Sequence, residues 1–127
     1  PFGIEFEYYL DGKLLGVALA DKTSQSFSAI YTFYQVPDNK MSLGTFSVLK
    51  QMEYALQNRI KYFYLGYYIA ENSSLVYKAR FRPNEVYLDR EWRPFRNAEG
   101  DFLVPQDKLQ WKNSDHLVKA SSYMERI

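Results

Sequence analysis

The sequence contains no cysteine and one histidine, His116, among its 127 residues. The first absence removes disulfides, thiolate metal sites and cysteine nucleophiles together, and it is compatible with a reducing compartment. The second leaves no clustered imidazole donors, so neither a metal site nor a serine–histidine pair for acyl-enzyme chemistry is expected. No run of about 18 apolar residues occurs, so no membrane span is expected. No basic-then-apolar leader opens the chain. It begins at Pro1 rather than Met, which suggests a piece of a longer protein. Charge of one sign is also lacking: 16 Lys and Arg against 15 Asp and Glu leave a net +1. That balance argues neither for nor against nucleic acid.

What is present fits one globular domain spanning 1–127, with 46% apolar and 24% charged residues. Aromatic residues reach 18%, and 12 of them are tyrosines. Tyrosine is apolar with one polar tip, so it suits the wall of a wet cleft as well as a sheet surface. Basic residues gather locally. Lys78, Arg80, Arg82, Arg90, Arg93 and Arg96 stand among Tyr77, Phe81, Trp92 and Phe95, a mixture suited to phosphates and stacked bases. A solvated arginine-rich surface accounts for the same residues.

Hydrophobic spacing predicts strands over Ile4–Tyr9 and Leu14–Ala20, joined at Asp11-Gly12, where a tight turn needs positive φ. A third, aromatic strand covers Phe27–Val36, and Pro37-Asp38-Asn39 breaks it. A helix is predicted over Ser42–Asn58, with Leu43, Phe46, Leu49, Met52 or Ala55, and Leu56 as its apolar stripe. Ser42 is its expected N-cap, and Asn58 its expected left-handed terminus. Ile60–Tyr67 reads as a buried strand, so the order strand, helix, strand implies a right-handed crossover with parallel pairing. A shorter helix over Ser73–Phe81, stopped by Pro83, precedes a last strand at Glu85–Asp89. Residues 90–108 read as loops with a turn at Asn97-Ala98-Glu99-Gly100, and 109–127 as a terminal helix. The class is α/β: a strand meander, then a βαβ unit, on a mixed central sheet.

Three places can carry chemistry. Ser42-Leu43-Gly44-Thr45 opens the long helix, where free N–H groups and the helix dipole favour an anion. Gly44 costs that helix on the order of 1 kcal/mol against alanine, which either ligand approach or close packing would explain. Leu65-Gly66-Tyr67-Tyr68 ends a parallel strand, the side on which α/β sheets bind ligands. Its two tyrosines point to opposite faces. Lys78 and Arg82 would share a helix face at i, i+4, where a common carboxylate or phosphate would relieve their repulsion.

Six stretches occur together in one order: Asp11–Leu14 with Gly16-Val17-Ala18 and Asp21; Ser28–Tyr34; Pro37-Asp38; Ser42–Thr45; Tyr64–Ile69; and Tyr77–Pro83. In this set, from about Glu5 to Pro94, the chain resembles the C-terminal domain of the aminoacyl-tRNA–protein transferases of the N-degron pathway. That family comprises eukaryotic arginyltransferases and bacterial leucyltransferases acting on N-terminal Asp or Glu. The resemblance implies a GNAT-like (acyl-CoA N-acyltransferase-like) fold, a cytoplasmic setting and no cofactor. It implies two partners, aminoacyl-tRNA and the N-terminal peptide of an acceptor protein, and no membrane. The compact stretch between Pro37 and Ser42 is more like the bacterial members, so leucine is the expected donated residue, with arginine the alternative.

On that resemblance, Ser42, Leu43, Gly44 and Thr45 would hold the donor. Tyr67 or Tyr31 would serve the oxyanion or leaving hydroxyl. Lys78, Arg80 and Arg82 would receive an acidic side chain or phosphate, and Tyr34, Gly66, Tyr68 and Tyr77 would line the cleft. Ser74 and Leu75 stand where the family usually carries a basic residue and Met. The family's cysteine-bearing N-terminal region is not in this sequence, and residues 95–127 form an extension outside the resemblance. Two competing readings remain: an acyl-CoA-dependent N-acyltransferase, and a non-catalytic module for acidic N-termini or RNA. The first would need a glycine-rich pyrophosphate loop, yet Asn39–Thr45 holds a single glycine.

Overall fold

A computed structural model describes residues 2–35, 42–110 and 117–119. Its first three strands, β1 (Phe2–Leu10), β2 (Lys13–Lys22) and β3 (Ser26–Tyr34), form the expected antiparallel meander. Asp11 and Gly12 turn the first hairpin with φ of 50° and 77°, the paired positive values of a two-residue turn that matches strand twist. The helix α1 (Leu43–Gln57) then crosses to β4 (Tyr62–Tyr67), which pairs parallel with β3. The strand–helix–strand crossover expected from the spacing is thus present.

The later chain departs from expectation. In place of a helix over Ser73–Phe81 there is one 3-10 turn, Val76–Arg80. The Asn72 side chain accepts from the Ser74 amide at 2.9 Å, and the Leu75 and Lys78 amides bond three residues back. Such local side-chain and short-range bonds compete with an α-helical start. Residues 90–108 are not all loop: β5 (Asn84–Leu88) returns antiparallel into β6 (Glu91–Arg96). Asp89 and Arg90 make that turn at φ of 53° and 64°, without the glycine that usually announces it. Pro94 hides the strand further, but β6 is the sheet's edge, where a missing N–H costs little. The turn at Asn97–Gly100 stands as expected, with Gly100 at φ 98° and its amide donating to the Asn97 carbonyl.

A third short strand, β7 (Leu117–Lys119), sits where a terminal helix was expected and fits between β4 and β5. Two open sheet edges there outweigh the weak apolar spacing of the segment. The rest of that expected helix, the Pro37-Asp38-Asn39 break and His116 lie outside the described residues. The complete order is β1-β2-β3-β4-β7-β5-β6, a mixed sheet.

One core runs through these elements. Phe27 and Phe63 from the parallel pair meet Val48, Met52 and Ala55 of α1 and Phe95, Val104 and Leu109 of the later chain. The buried face of α1 keeps Leu43, Met52 and Ala55 of the expected apolar stripe but not Phe46 or Leu49. Leu43, Ser47, Val48, Gln51, Met52 and Ala55 face inward, while Phe46 and Leu49 are 44% and 48% exposed. The helix is rolled so that two polar residues point at the sheet, where they find hydroxyl partners. Its end is shifted as well. Asn58 has φ −95°, and the left-handed residue is Arg59, at φ 55°. Glycine adopts that conformation without a Cβ penalty. Arg59→Gly should therefore raise stability by about 0.5–1 kcal/mol, read as a higher urea midpoint at unchanged m-value.

Candidate functional site

β3 and β4 run parallel only for Ser26↔Tyr62, Phe27↔Phe63 and Ser28↔Tyr64. Beyond Ser28 they part, and a cavity of about 440 Å³ opens between them. Ala29–Thr32 and Tyr34 of β3 form one wall, and Leu65 of β4 another. The first turn of α1, Ser42–Thr45, forms a third, and Ser73, Ser74, Tyr77 and Lys78 close the far side.

A bulge in β3 sets which side chains face α1. Leu19 pairs Tyr31 and Ala20 pairs Ala29, so Ile30 is an extra residue and the alternation flips across it. Before the bulge Phe27 faces the helix, with its ring 5.7 Å from that of Tyr54. After it, Thr32 and Tyr34 do: Thr32 Oγ1 lies 3.4 Å from Ser47 Oγ, and the Tyr34 phenol approaches Gly44. Tyr31 and Phe33 stack on each other at 5.7 Å between ring centres, on the opposite, exposed side. Tyr31 thus borders the cavity while its ring is turned outward against Phe33.

Ser42 precedes α1 without a side-chain capping bond. Among the described residues, a Cβ on Gly44 would meet nothing nearer than the Tyr34 phenol oxygen at 4.0 Å. Close packing is therefore not what glycine provides here; it leaves the first turn bare toward the cavity. Facing it is Lys78, half-buried, whose Nζ donates to the Tyr67 carbonyl at 2.8 Å. Burial lowers the Lys78 pKa from 10.5 to about 8, because the charged form loses hydration there. Burial also pushes the Tyr77 phenol up, with the neighbouring Tyr34 phenol adding to the effect, so Tyr77 is a neutral donor at physiological pH.

Gly66 is the hinge of this corner. It sits at φ 89°, and a Cβ there would meet Lys78 Nζ at 3.4 Å. The β4–β7 register shifts between Tyr64 and Gly66. The irregular backbone turns the Tyr67 carbonyl to the ammonium.

Of the residues singled out by sequence, the structure thus brings Tyr31, Tyr34, Ser42, Leu43, Gly44, Thr45, Tyr77 and Lys78 to one cavity. Tyr67 contributes its carbonyl to Lys78, while its residue is 58% exposed. Tyr68 is buried in the core, and its hydroxyl donates to Gln106 Oε1 at 2.9 Å. Arg80 is exposed on the 3-10 turn. Arg82 does not share a face with Lys78: the turn ends at Arg80, and the Arg82 guanidinium packs on Gly100. The basic stretch is thus divided between cavity and surface. Asp89 pairs not with Lys78 or Arg82 but with Arg93, at 3.5 Å.

Sequence reasoning missed the cavity floor. Gln51 lines the cavity, and its Nε2 donates to Ser47 Oγ at 3.0 Å. Ser47 Oγ is in turn 2.8 Å from the Tyr8 hydroxyl. The available signal was two polar residues four apart in register with Leu43, Val48 and Ala55. Among the described residues no three His, Asp or Glu side chains gather as metal donors, and no helix is long and apolar enough to cross a membrane.

Comparison with known proteins places this chain in a family. The family described as arginine-tRNA-protein transferase, C terminus, matches residues 3–88. An aspartate/glutamate leucyltransferase of Xanthomonas campestris pv. campestris (strain B100) is 41% identical over 92 residues, covering 72% of this chain and 36% of that protein. The like-named protein of Acinetobacter baylyi is 37% identical over 92 residues, 72% of this chain and 34% of its own. That of Acinetobacter baumannii (strain ATCC 17978) is 33% identical over 108 residues, 85% and 38%. The chain thus spans about a third of the length of these relatives. No solved structure matches. The matched span holds β1 to β5 and every wall of the cavity, and the chain belongs to the arginine-tRNA-protein transferase C-terminus family.

Proposed function

We propose that the chain supports transfer of an amino acid from aminoacyl-tRNA to the N-terminal amine of proteins beginning with Asp or Glu. The observation that carries this is Lys78, a desolvated cation facing the bare first turn of α1 across one cavity. In the reaction, the amine nitrogen attacks the ester carbonyl carbon. An N–C bond forms, the C–O ester bond breaks, and the terminal ribose hydroxyl leaves carrying the proton the amine gives up. The ester is already activated, so proximity and a donor for the developing oxyanion suffice, and no cysteine or histidine nucleophile is required.

Roles follow from place. Ser42, Leu43, Gly44 and Thr45 hold the donor's terminal nucleotide through free amides and hydroxyls. Lys78 receives the acceptor's side-chain carboxylate. Tyr77 and Tyr34, inside the cavity, are better placed than Tyr67 or the outward ring of Tyr31 to donate to the oxyanion. Exposed Arg80 suits RNA phosphate, and Arg82 supports the fold beside Gly100. The parting of two parallel strands beside a helix N-terminus supports a GNAT-like architecture. The relatives' names favour leucine as the donated residue, and a cytoplasmic setting, where charged tRNA is available, suits the reaction.

The test uses the full-length protein with labelled leucyl-tRNA, arginyl-tRNA or acetyl-CoA and an Asp-started peptide. Labelled leucyl-peptide is the expected product. Product from acetyl-CoA alone, or none from either tRNA, overturns the proposal.

A further inference from the structure

Gln51 is 1% exposed, yet its Oε1 has no hydrogen-bond partner among the described residues. A buried acceptor left unsatisfied costs free energy, typically about 1–3 kcal/mol, and so calls for an explanation. Gln51 Nε2 donates to Ser47 Oγ at 3.0 Å, and Ser47 Oγ lies 2.8 Å from the Tyr8 hydroxyl. Thr32 Oγ1 closes the cluster 3.4 Å from Ser47 Oγ. With the nitrogen turned to Ser47, the oxygen is the unpartnered end of an amide whose side chain lines the cavity.

The cavity thus holds two kinds of recognition. Lys78 and the α1 entrance want negative charge, whereas the Gln51 carbonyl wants an N–H donor. A free N-terminal Asp or Glu carries both groups within one residue: a side-chain carboxylate and a primary amine. We propose that Gln51 is a specificity-determining residue that accepts a hydrogen bond from the acceptor's free α-amine, with Ser47, Tyr8 and Thr32 as the positioning residues that aim it. This rests on the function proposed above and adds how the site tells a free N-terminus from a blocked one. Acetylation removes the cationic donor and adds bulk at the cavity floor.

The experiment is calorimetric titration of the full-length protein with an Asp-started peptide and its N-acetylated form. Wild type should bind the free peptide about tenfold or more tightly, the scale of one hydrogen bond to a charged group. Gln51→Met, close in volume and without the carbonyl, should erase that ratio by weakening the free peptide alone. Gln51→Glu should keep it. Tyr8→Phe, which removes the hydroxyl bonded to Ser47 but retains Gln51, should reduce the ratio partway, and it serves if Gln51→Met fails to fold by circular dichroism. A ratio that survives both Gln51→Met and Tyr8→Phe overturns the proposal. A parallel titration with leucyl-tRNA and N-acetyl-leucyl-tRNA separates the other amine in the reaction: discrimination lost only there assigns Gln51 to the donor and overturns the acceptor assignment. Failure of wild type to bind either peptide strikes the proposed function itself, whereas intact binding with an unchanged ratio strikes only the role of Gln51.

Discussion

Lys78→Met should cut transfer to an Asp-started peptide by at least a hundredfold and, at pH 7, make the protein more stable. Both effects have one source. The ammonium is held half out of water, and burial is what lowers its pKa to about 8. In the unfolded chain the group returns to 10.5. Below pH 8 both states hold the proton, so the folded state carries the whole cost of burying charge. Between about 8 and 10.5 the folded state releases its proton while the unfolded state keeps it, so wild-type stability rises with pH. Methionine never carries that cost. The gain from Lys78→Met at pH 7 is on the order of 1 kcal/mol once discounted for solvent screening of a partly exposed group, and it should shrink toward pH 10. Urea unfolding at pH 7 and pH 10 reads this directly. Transfer by wild type should fall as pH rises through the range where Lys78 deprotonates, which a bound carboxylate moves above 8. Lys78→Arg stays charged there, so its profile should not show that fall. A stabilised Lys78→Met protein with wild-type transfer would remove Lys78 from acceptor binding.

Local signals made much of this site legible. Asp11-Gly12 announced the hairpin, and the strand–helix–strand spacing announced the parallel pair whose parting makes the cavity. What stayed hidden has physical reasons. Phe27, Ile30, Tyr31, Phe33 and Tyr34 put apolar bulk on both faces of β3, so no period-two contrast revealed that a bulge at Ile30 exchanges the faces. A binary reading of α1 assigns polar residues outward. Ser47 and Gln51 turn inward because Tyr8 and Thr32, far off in sequence, offer them partners. That pairing is tertiary, and its one trace within the helix is the four-residue spacing of Ser47 and Gln51. Lys78 and Arg82 were four apart, but a 3-10 turn has three residues per turn and ends before Arg82, so helical spacing misplaced the second cation. The β5–β6 hairpin lacked its usual glycine, and β7 takes its place from two neighbouring strands rather than from its own composition.

Phe27→Ala should be the most damaging single change in the core, costing about 3–5 kcal/mol. The residue is fully buried. Its ring meets Phe6 edge-on at 6.0 Å, Tyr54 at 5.7 Å and Phe63 at 5.6 Å between centres, which ties β1, α1 and β4 to β3. A void there has walls from four elements of the sheet–helix interface, and a close-packed interior collapses into it only in part. Against a typical stability of about 5–15 kcal/mol, the loss should lower the urea midpoint steeply and leave a substantial unfolded fraction at 37 °C. Phe33→Ala is the control. It removes the same atoms from the same strand, but from the exposed side of the sheet, where changes typically stay within about 0.5 kcal/mol. Equal costs for the two would mean that the bulge at Ile30 does not divide β3 into a helix-facing and a solvent-facing set. The site then follows from the core: Phe27 is the middle residue of the three that hold β3 against β4. At temperatures where Phe27→Ala is still folded, its transfer should weaken together with acceptor binding, because the wall between those strands has loosened. Lys78→Met should instead lose transfer in a protein whose unfolding midpoint has risen. Opposite stability shifts with the same functional loss would separate the group that binds from the packing that places it.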